Sequence, residues 1–313
     1  MALFINYEIA PYELIPMHKP DVFIVGAPKS GTTSLYTYLK QHPDIFMSEI
    51  KEPQYFAADT LQHQRRIRTL PEYMDCFAAA EREQRIGEAS TAYLGSASAA
   101  RELKKFNPNA QIIVMLRNPI DVMYSLHSER LFSNMEHIRN FEHAINSTET
   151  RTWRAGPFRK QPVIRVGYRE ATHFSEQVQR YFEGFGRERV HVIIYEDLTM
   201  NCDAVYERVL SFLNVRPQSQ PSIKLNANKR ARSQSLHAFL NHPPRWVHGA
   251  IRSLVPDNIR PSVVRCFYKA NVVTEPRPLM DERLRKRLQK EYEQEVVQLS
   301  EVLKRDLTAW CSA

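Results

Sequence analysis

The chain has little cysteine. Its 313 residues include four cysteines, Cys76, Cys202, Cys266 and Cys311, which lie far apart and form no CxxC pair. This spacing suggests neither a zinc knuckle nor a disulfide framework, so a reducing compartment fits the sequence best.

Long hydrophobic runs are also missing. No stretch approaches the roughly 20 apolar residues that a membrane span requires. Residues 1–20 contain Glu8 and Glu13 and lack the basic segment followed by an apolar segment that is typical of a secretory signal. We therefore expect a soluble, cytoplasmic protein without a transmembrane segment.

The composition is that of an ordinary globular chain. Hydrophobic residues make up 43% and charged residues 25%, which excludes wholesale disorder. The 43 Lys and Arg residues exceed the 35 Asp and Glu residues by 8, and this positive charge favours an anionic ligand. The excess is modest and the two signs are interleaved, unlike the basic stripe of a nucleic-acid-binding protein, so we expect no nucleic-acid partner.

Short apolar runs predict the fold class. Residues 22–25, 112–116 and 190–195 are each too short for a helix and are bounded by polar or turn residues, so we interpret them as buried parallel strands. Residues 85–88 predict a weaker fourth strand. Because segments of helical period alternate with these runs, we expect an α/β fold with a P-loop-like parallel sheet and helices on both faces.

The C-terminal third predicts a helical cap. Between residues 226 and 278 the chain is rich in Arg, Lys, Pro and Asn, which suggests a lid more than an independent domain. From Asp281, apolar residues recur with i+3/i+4 spacing from Leu284 to Leu307, which predicts a long amphipathic helix. We therefore expect one domain over residues 1–313, with a nucleotide-binding core (20–225) and a C-terminal loop and cap (226–313).

Residues 21–35 have the order strand, loop, helix that forms a phosphate-binding cradle. Gly26 and Gly31 allow tight backbone turns, and N–H groups at a helix start would point at an anion. Lys29 adds a mobile positive charge. The candidate ligand-binding residues of this loop are Pro28, Lys29, Ser30, Gly31, Thr32 and Thr33.

The loop departs from the pattern of nucleotide triphosphatases. Their motif, GxxxxGK[ST], has a lysine after the second glycine, whereas here Lys29 precedes Gly31. The strand at residues 112–116 ends in Arg117, where such enzymes often place a magnesium-holding aspartate. We expect a metal-independent transfer from a phosphate-bearing donor, and we keep a P-loop kinase or NTPase as the alternative, which magnesium dependence would distinguish.

A second anion site follows the strand at residues 112–116. Asn118 and Pro119 fit the N-cap and first position of a helix. Arg117, at the strand end, and Ser125, about two helical turns later, can converge on one further phosphate.

Together, PKSGTT (28–33) and LRNPxxxxYS (116–125) resemble the two cofactor motifs of the sulfotransferases, which use 3′-phosphoadenosine 5′-phosphosulfate (PAPS). Further matching segments are HP (42–43), KEPQYF (51–56), GEASTAY (87–93), FGRERV (185–190), YEDL (195–198), RDL (305–307) and Trp310. The similarity covers nearly the whole chain, in the style of bacterial enzymes related to the heparan-sulfate and Nod-factor sulfotransferases. The resemblance implies that the first loop holds the 5′-phosphosulfate and the second motif the 3′-phosphate, with PAP released.

The resemblance also implies the catalytic residues. Lys29 suits charge neutralisation on the departing phosphate oxygen, and Glu52 matches the glutamate that carbohydrate sulfotransferases use as the base. His63, His127 and Lys51 remain alternative bases or acceptor contacts.

Other positions bear on the ligands. Ala57 and Ala89 replace an acidic residue and a lysine of some heparan-sulfate enzymes, so we expect different acceptor contacts. Arg230 and Arg232 lie in a run that resembles the loop closing over the nucleotide. The acceptor, a hydroxyl- or amine-bearing carbohydrate, lipid or small metabolite, and the oligomeric state are left open by the sequence.

Overall fold

The computed structural model describes residues 19–61, 65–81, 85–147, 153–154, 162–163, 167–219, 229–231, 271–275 and 277–312. Its centre is a five-stranded parallel sheet with the strand order β2-β3-β1-β4-β7. These strands are β1 (Val22–Gly26), β2 (Ile45–Met47), β3 (Arg85–Ala89), β4 (Gln111–Leu116) and β7 (Val190–Ile194). Two short antiparallel pairs lie outside it, β5 (Trp153–Arg154) with β6 (Pro162–Val163) and β8 (Lys229–Ala231) with β9 (Val272–Thr274).

Alternation along the strands builds two cores. In β1, Phe23 and Val25 belong to one buried cluster, while Val22 and Ile24 belong to another. Successive side chains of a strand point to opposite faces, so both faces of this apolar sheet must be covered. The predicted α/β fold with helices on both faces is confirmed.

The α-helices of the described residues are α1 (Thr32–Leu39), α2 (Ala58–Leu61), α3 (Leu70–Asp75), α4 (Ala92–Gly95), α5 (Ala99–Phe106), α6 (Pro119–Phe132), α7 (Phe141–Ser147), α8 (Phe174–Phe185), α9 (Tyr195–Met200), α10 (Cys202–Leu213) and α11 (Glu282–Leu303). Helices α1 and α10 pack on one face, and α5, α8 and α11 on the other. No helix of the described ranges is both long and apolar enough to cross a membrane.

Helix α11 carries the predicted apolar stripe. It begins after Asp281, whose side chain accepts a hydrogen bond from Leu284 N at 3.0 Å, and its inner face packs against α8. The helix ends at Leu303, because Lys304 adopts a left-handed conformation with φ of 54°. Leu307 therefore lies beyond the helix, although it is still buried in the core.

The four strands expected from apolar runs are present, with two differences. Tyr195 begins α9 and does not extend β7. Strand β2, only three residues long, was not predicted. Within the expected cap at 226–278, the antiparallel pair of β8 and β9 is described, and the intervening residues 232–270 lie outside the described part of the chain.

Candidate active site

The phosphate loop, residues 27–31, joins β1 to α1 at the carboxyl edge of the sheet. Lys29 and Gly31 both have left-handed backbones, with φ of 64° and 86°. Among the described residues, no side chain caps the first turn of α1. Ser34 N donates to the Gly31 carbonyl oxygen at 2.9 Å, and within the described part of the chain the N–H groups of Thr32 and Thr33 are left for another partner. Ser30 and Thr32 are buried, whereas Thr33 is exposed. The loop therefore has the open amide groups that the sequence predicts for an anion cradle.

Tyr195 connects the phosphate loop to Arg117. A Cβ atom at Gly31 would lie 3.2 Å from the Tyr195 ring, and the Arg117 guanidinium stacks on that ring at 4.6 Å from its centroid. Arg117 also donates a hydrogen bond to the Lys29 carbonyl at 3.3 Å. Its Nε is buried and lacks a hydrogen-bond partner within the described residues, so one donor beside the loop is unused.

Arg277 lies beside the residues predicted to form a second anion site and was not itself predicted. Its guanidinium donates hydrogen bonds to Ser125 Oγ at 2.9 Å and Ser128 Oγ at 3.0 Å. Burial lowers the pKa of Arg277 below its ordinary value, and the positive charge of Arg117 lowers that pKa further. Two guanidinium groups held close together favour a bound anion that neutralises them.

Lys29 lies at the accessible edge of the loop. Its Nζ is 3.6 Å from Glu129 Oε2 on α6, and both side chains are partly exposed. An ion pair of this length and exposure is weak, so the ammonium group remains available to a phosphate.

Glu52 is fixed beside the carboxyl end of β3. Its backbone is left-handed, with φ of 62°, and its N–H donates to the Ala89 carbonyl at 2.9 Å. Its Oε2 accepts a hydrogen bond from Thr91 N at 2.8 Å, and its Oε1 accepts one from Lys51 Nζ at 2.7 Å. The carboxylate is thus oriented by hydrogen bonds, as a general base requires.

A buried carboxylate, Glu88, lies behind this segment. It accepts hydrogen bonds from Tyr73 Oη and Tyr93 Oη, both at 2.8 Å, and from Ser90 Oγ at 2.7 Å. Complete burial raises the pKa of Glu88 to about 7, against the effect of these donors. Ser90 Oγ in turn accepts a hydrogen bond from Gln54 N at 3.0 Å, so Glu88 is linked to the segment that carries Glu52.

The phosphate loop and the Glu52 segment meet. A Cβ at Gly26 would lie 2.8 Å from Leu94 Cβ and 3.0 Å from the Thr91 carbonyl oxygen, so only a glycine permits this approach. A cleft of about 280 Å³ is lined by both Pro28 and Thr91. Residues adjoining Lys29 and Glu52 therefore border one space.

The alternative bases and the arginines of the predicted nucleotide-closing loop lie partly inside and partly outside the described residues. His127 is buried, its Nε2 lies 2.8 Å from the Ile138 carbonyl oxygen, and burial lowers its pKa. Lys51 pairs with Glu52, as described above. Arg230 lies in β8, which is beside α6, while Arg232 and His63 are outside the described residues, so the roles of these three residues stay predictions.

Some residues of the candidate site could not be predicted from the sequence. Arg277 stands between two prolines, in no recognisable motif, and it closely follows β9, whose partner strand β8 lies beside α6. Ala57 and Ala89 are both fully buried, and neither offers a charged group to a ligand.

Within the described ranges, no three His, Cys, Asp or Glu residues cluster in a way that could hold a metal ion.

Comparison with known proteins is consistent with this geometry. A family model described as "Sulfotransferase domain" matches residues 19–305. Human carbohydrate sulfotransferase 15 is 25% identical over 285 residues, covering 72% of this chain and 49% of the human protein. Mouse bifunctional heparan sulfate N-deacetylase/N-sulfotransferase 4 is 25% identical over 209 residues, covering 64% of this chain and 23% of the mouse protein. The chain thus spans half or less of the length of these relatives.

A solved structure supports the same grouping. The sulfotransferase from Alicyclobacillus acidocaldarius is 26% identical and superposes with a TM-score of 0.68. The superposition covers 94% of this chain and 100% of that one. The likeness therefore extends over the sheet, its helices and the elements that carry the site.

Proposed function

Because the chain belongs to the sulfotransferase domain family, we propose that it transfers a sulfuryl group from PAPS to a hydroxyl or amine group of an acceptor. The observation that carries this proposal is the pair of anion sites at the carboxyl edge of one sheet. The phosphate loop with Lys29 forms the first, and Arg117, Arg277 and Ser125 form the second.

These sites fit a nucleotide that carries phosphates at both its 3′ and 5′ positions. The buried, unused Nε of Arg117 and the adjacent guanidinium of Arg277 offer planar donors to a phosphate. The uncapped first turn of α1 offers amide groups to another. We assign the second site to the 3′-phosphate and the loop to the 5′-phosphosulfate.

The chemistry assigned to the side chains is in-line displacement. Glu52 accepts the proton of the acceptor hydroxyl while the acceptor oxygen forms a bond to sulfur. The bond between sulfur and the 5′-phosphate oxygen breaks, and its electron pair stays on that oxygen. Lys29 neutralises the charge that develops there, and PAP and the sulfated acceptor leave.

The alternative, a P-loop kinase or NTPase, is not favoured. Lys29 precedes Gly31 in this loop, and the end of β4 carries Arg117 where those enzymes often hold magnesium with an acid. A phosphate-binding arginine at that position suits a 3′-phosphate, which ATP lacks.

Acceptor and location are parts of the proposal. The names of the relatives include carbohydrate and heparan sulfate, so hydroxyl and amine acceptors of that kind are the starting class.

We also propose a cytoplasmic location, supported by free cysteines at positions 76, 202 and 311, and cell fractionation tests it.

The experiment that tests the reaction uses [³⁵S]PAPS and a panel of hydroxyl and amine acceptors. We expect label transfer by the wild-type protein and none by Glu52→Gln, with PAP affinity unchanged in the variant. The matched control is Glu49→Gln, which changes a nearby carboxylate outside this hydrogen-bond network. Transfer by Glu52→Gln at the wild-type rate would remove Glu52 from the mechanism.

A further inference from the structure

A cleft of about 280 Å³ lies beside the phosphate loop. Its lining includes Pro28, which precedes Lys29, and Thr91, whose N–H holds Glu52. Glu129, the partner of Lys29, is in the same wall. An acceptor in this cleft therefore lies beside residues that neighbour Lys29 and Glu52, the two residues to which the proposed mechanism assigns chemistry.

The walls of the cleft are mainly apolar. Apart from Pro28, the apolar side chains that line it come from three helices and two connecting segments, and they are Leu61, Ala92, Leu94, Leu126, Met135 and Ala171. Small-molecule sites of this kind gain affinity by burying apolar ligand surface, with few polar groups for orientation. The body of the acceptor should therefore be apolar.

The charged groups of the cleft do not suit an anionic acceptor. Among its described lining residues, Glu129 and Arg130 are the charged ones. The Arg130 guanidinium stacks on the Tyr168 ring at 4.4 Å from its centroid, while the Glu129 carboxylate faces Lys29. The lining thus holds one charge of each sign and no excess of positive charge, so sulfate or carboxylate groups of a glycan would be desolvated against mainly apolar walls without a matching set of cations.

One polar group in the wall favours a hydroxyl compound. Gln177 lines the cleft, is 4% exposed, and donates through Nε2 to the Glu170 carbonyl at 2.8 Å. Its Oε1 is buried and accepts no hydrogen bond from any described residue. An amide oxygen left in this state favours a ligand with a hydrogen-bond donor.

The size of the cleft sets the size of the acceptor. Small-molecule sites usually measure about 300–1,000 Å³, so a cleft of about 280 Å³ holds a single ring or a short chain. Resting on the proposed function, we propose that the acceptor is an uncharged, largely apolar alcohol of this size, an aryl or alkyl alcohol. This class differs from the anionic glycans in the names of the relatives.

The test compares acceptors that differ only in charge. With PAPS as donor, we expect 2-phenylethanol to be sulfated with a kcat/KM at least tenfold above that of 4-(2-hydroxyethyl)benzoate, which adds a carboxylate to the same body. N-acetylheparosan tetrasaccharide represents the anionic glycans and should be a still poorer acceptor. Equal or better use of either anionic compound would overturn the inference.

A matched pair of variants links the preference to the cleft. Met135→Lys places a cation in the cleft wall, whereas Met200→Lys makes the same change at an exposed site on α9 outside this cleft. We expect Met135→Lys to lower kcat/KM for 2-phenylethanol about tenfold and to reduce the ratio of this kcat/KM to that for 4-(2-hydroxyethyl)benzoate. Met200→Lys should leave both kcat/KM values unchanged. An unchanged preference in both variants would contradict the assignment of the cleft.

Calorimetry with PAP on the same preparations separates this inference from the proposed function. Binding of PAP together with a preference for an anionic acceptor, or with no sulfation of 2-phenylethanol, overturns only the acceptor class. Failure to bind PAP contradicts the proposed function, and it also overturns the proposed acceptor class, which rests on that function.

Discussion

The guanidinium of Arg277 donates a hydrogen bond of 2.9 Å to the hydroxyl of Ser125, and Arg117 is near enough for its charge to lower the pKa of Arg277. This contact joins the segment that follows β9 to α6. It places two positive charges where the account assigns the 3′-phosphate.

Removing either guanidinium should therefore weaken PAP binding selectively. We expect Arg277→Ala to lower PAP affinity about 10- to 100-fold, because a charge-assisted hydrogen bond contributes about 1.5–3 kcal/mol. Affinity for 5′-AMP, which lacks the 3′-phosphate, should stay within about twofold of the wild-type value, within the scatter of surface substitutions. Calorimetric titration measures both.

The matched control for Arg277→Ala is Arg216→Ala, which removes an arginine outside the proposed site. Arg216 forms an exposed ion pair with Asp44 at the start of β2, on the opposite edge of the sheet. It should leave both affinities unchanged. If Arg277→Ala weakened AMP as much as PAP, the assignment of Arg277 to the 3′-phosphate would be wrong.

Lys29→Met should lower the rate of transfer. The ammonium group is assigned to the charge that develops on the departing oxygen, and loss of one such group costs about 100- to 1,000-fold in kcat. Steady-state PAP release measures the effect. Lys40→Met removes a lysine that directly follows the other end of α1 and should retain the wild-type kcat. A full rate in Lys29→Met would exclude this role.

Gly31→Ala should destabilise the protein. The backbone at Gly31 has φ of 86°, and an added Cβ would lie 3.1 Å from Leu198 and 3.2 Å from Tyr195. The left-handed conformation alone costs about 1–2 kcal/mol for a residue with a side chain. We expect a lower Tm, together with weaker PAP binding because Tyr195 supports Arg117.

The matched control for this substitution is Gly184→Ala in α8, where an added Cβ meets nothing within 4 Å. Alanine is the better helix former, so its Tm should be equal or higher. If the two alanine variants had the same Tm, the loop at Gly31 would not have the conformation described.

Glu88 should make stability depend on pH. Burial raises its pKa from the ordinary 4.5 to about 7, so the folded protein binds this proton more tightly than the unfolded chain. The stability that the protonated group contributes is complete below pH 4.5 and is lost as the pH rises to about 7. The loss is on the order of 3 kcal/mol.

Glu88→Gln should remove this dependence. Denaturant unfolding at pH 5 and pH 8 should show the variant gaining stability relative to the wild type as the pH rises. Glu176→Gln, which alters an exposed carboxylate on α8, should change little between the two pH values. A constant difference between Glu88→Gln and wild type would contradict the assigned protonation.

Local patterns predicted the elements that are themselves apolar runs. Strands β1, β4 and β7 are short, mainly hydrophobic segments, and α11 has a regular apolar stripe, so each can be predicted from its own residues. Strand β2 has three residues and no such length. Tyr195 continues the apolar run of β7, and the chain turns into α9 there without a glycine or proline to mark it.

Long-range contacts explain what sequence reasoning missed at the site. The phosphate loop and the N-cap at Asn118 could be predicted because both are formed by residues that are adjacent in the sequence. The predicted N-cap of α6 is confirmed, since Ile120 N donates a hydrogen bond to Asn118 Oδ1 at 2.9 Å. Arg277 joins Ser125 across about 150 residues of sequence, a separation that local reading does not cover. Glu88 is predicted as part of a strand, but its burial depends on Tyr73 and Tyr93 from separate helices.

Calorimetric titration without divalent metal tests the central claim, that two anion sites select a 3′,5′-bisphosphate nucleotide. The ligands are PAP, 5′-AMP and ATP, each titrated into the wild-type protein and Arg117→Ala. The account predicts that PAP binds the wild type at least about tenfold more tightly than the other two, and that Arg117→Ala removes this advantage. Equal or tighter binding of ATP by the wild type would contradict it.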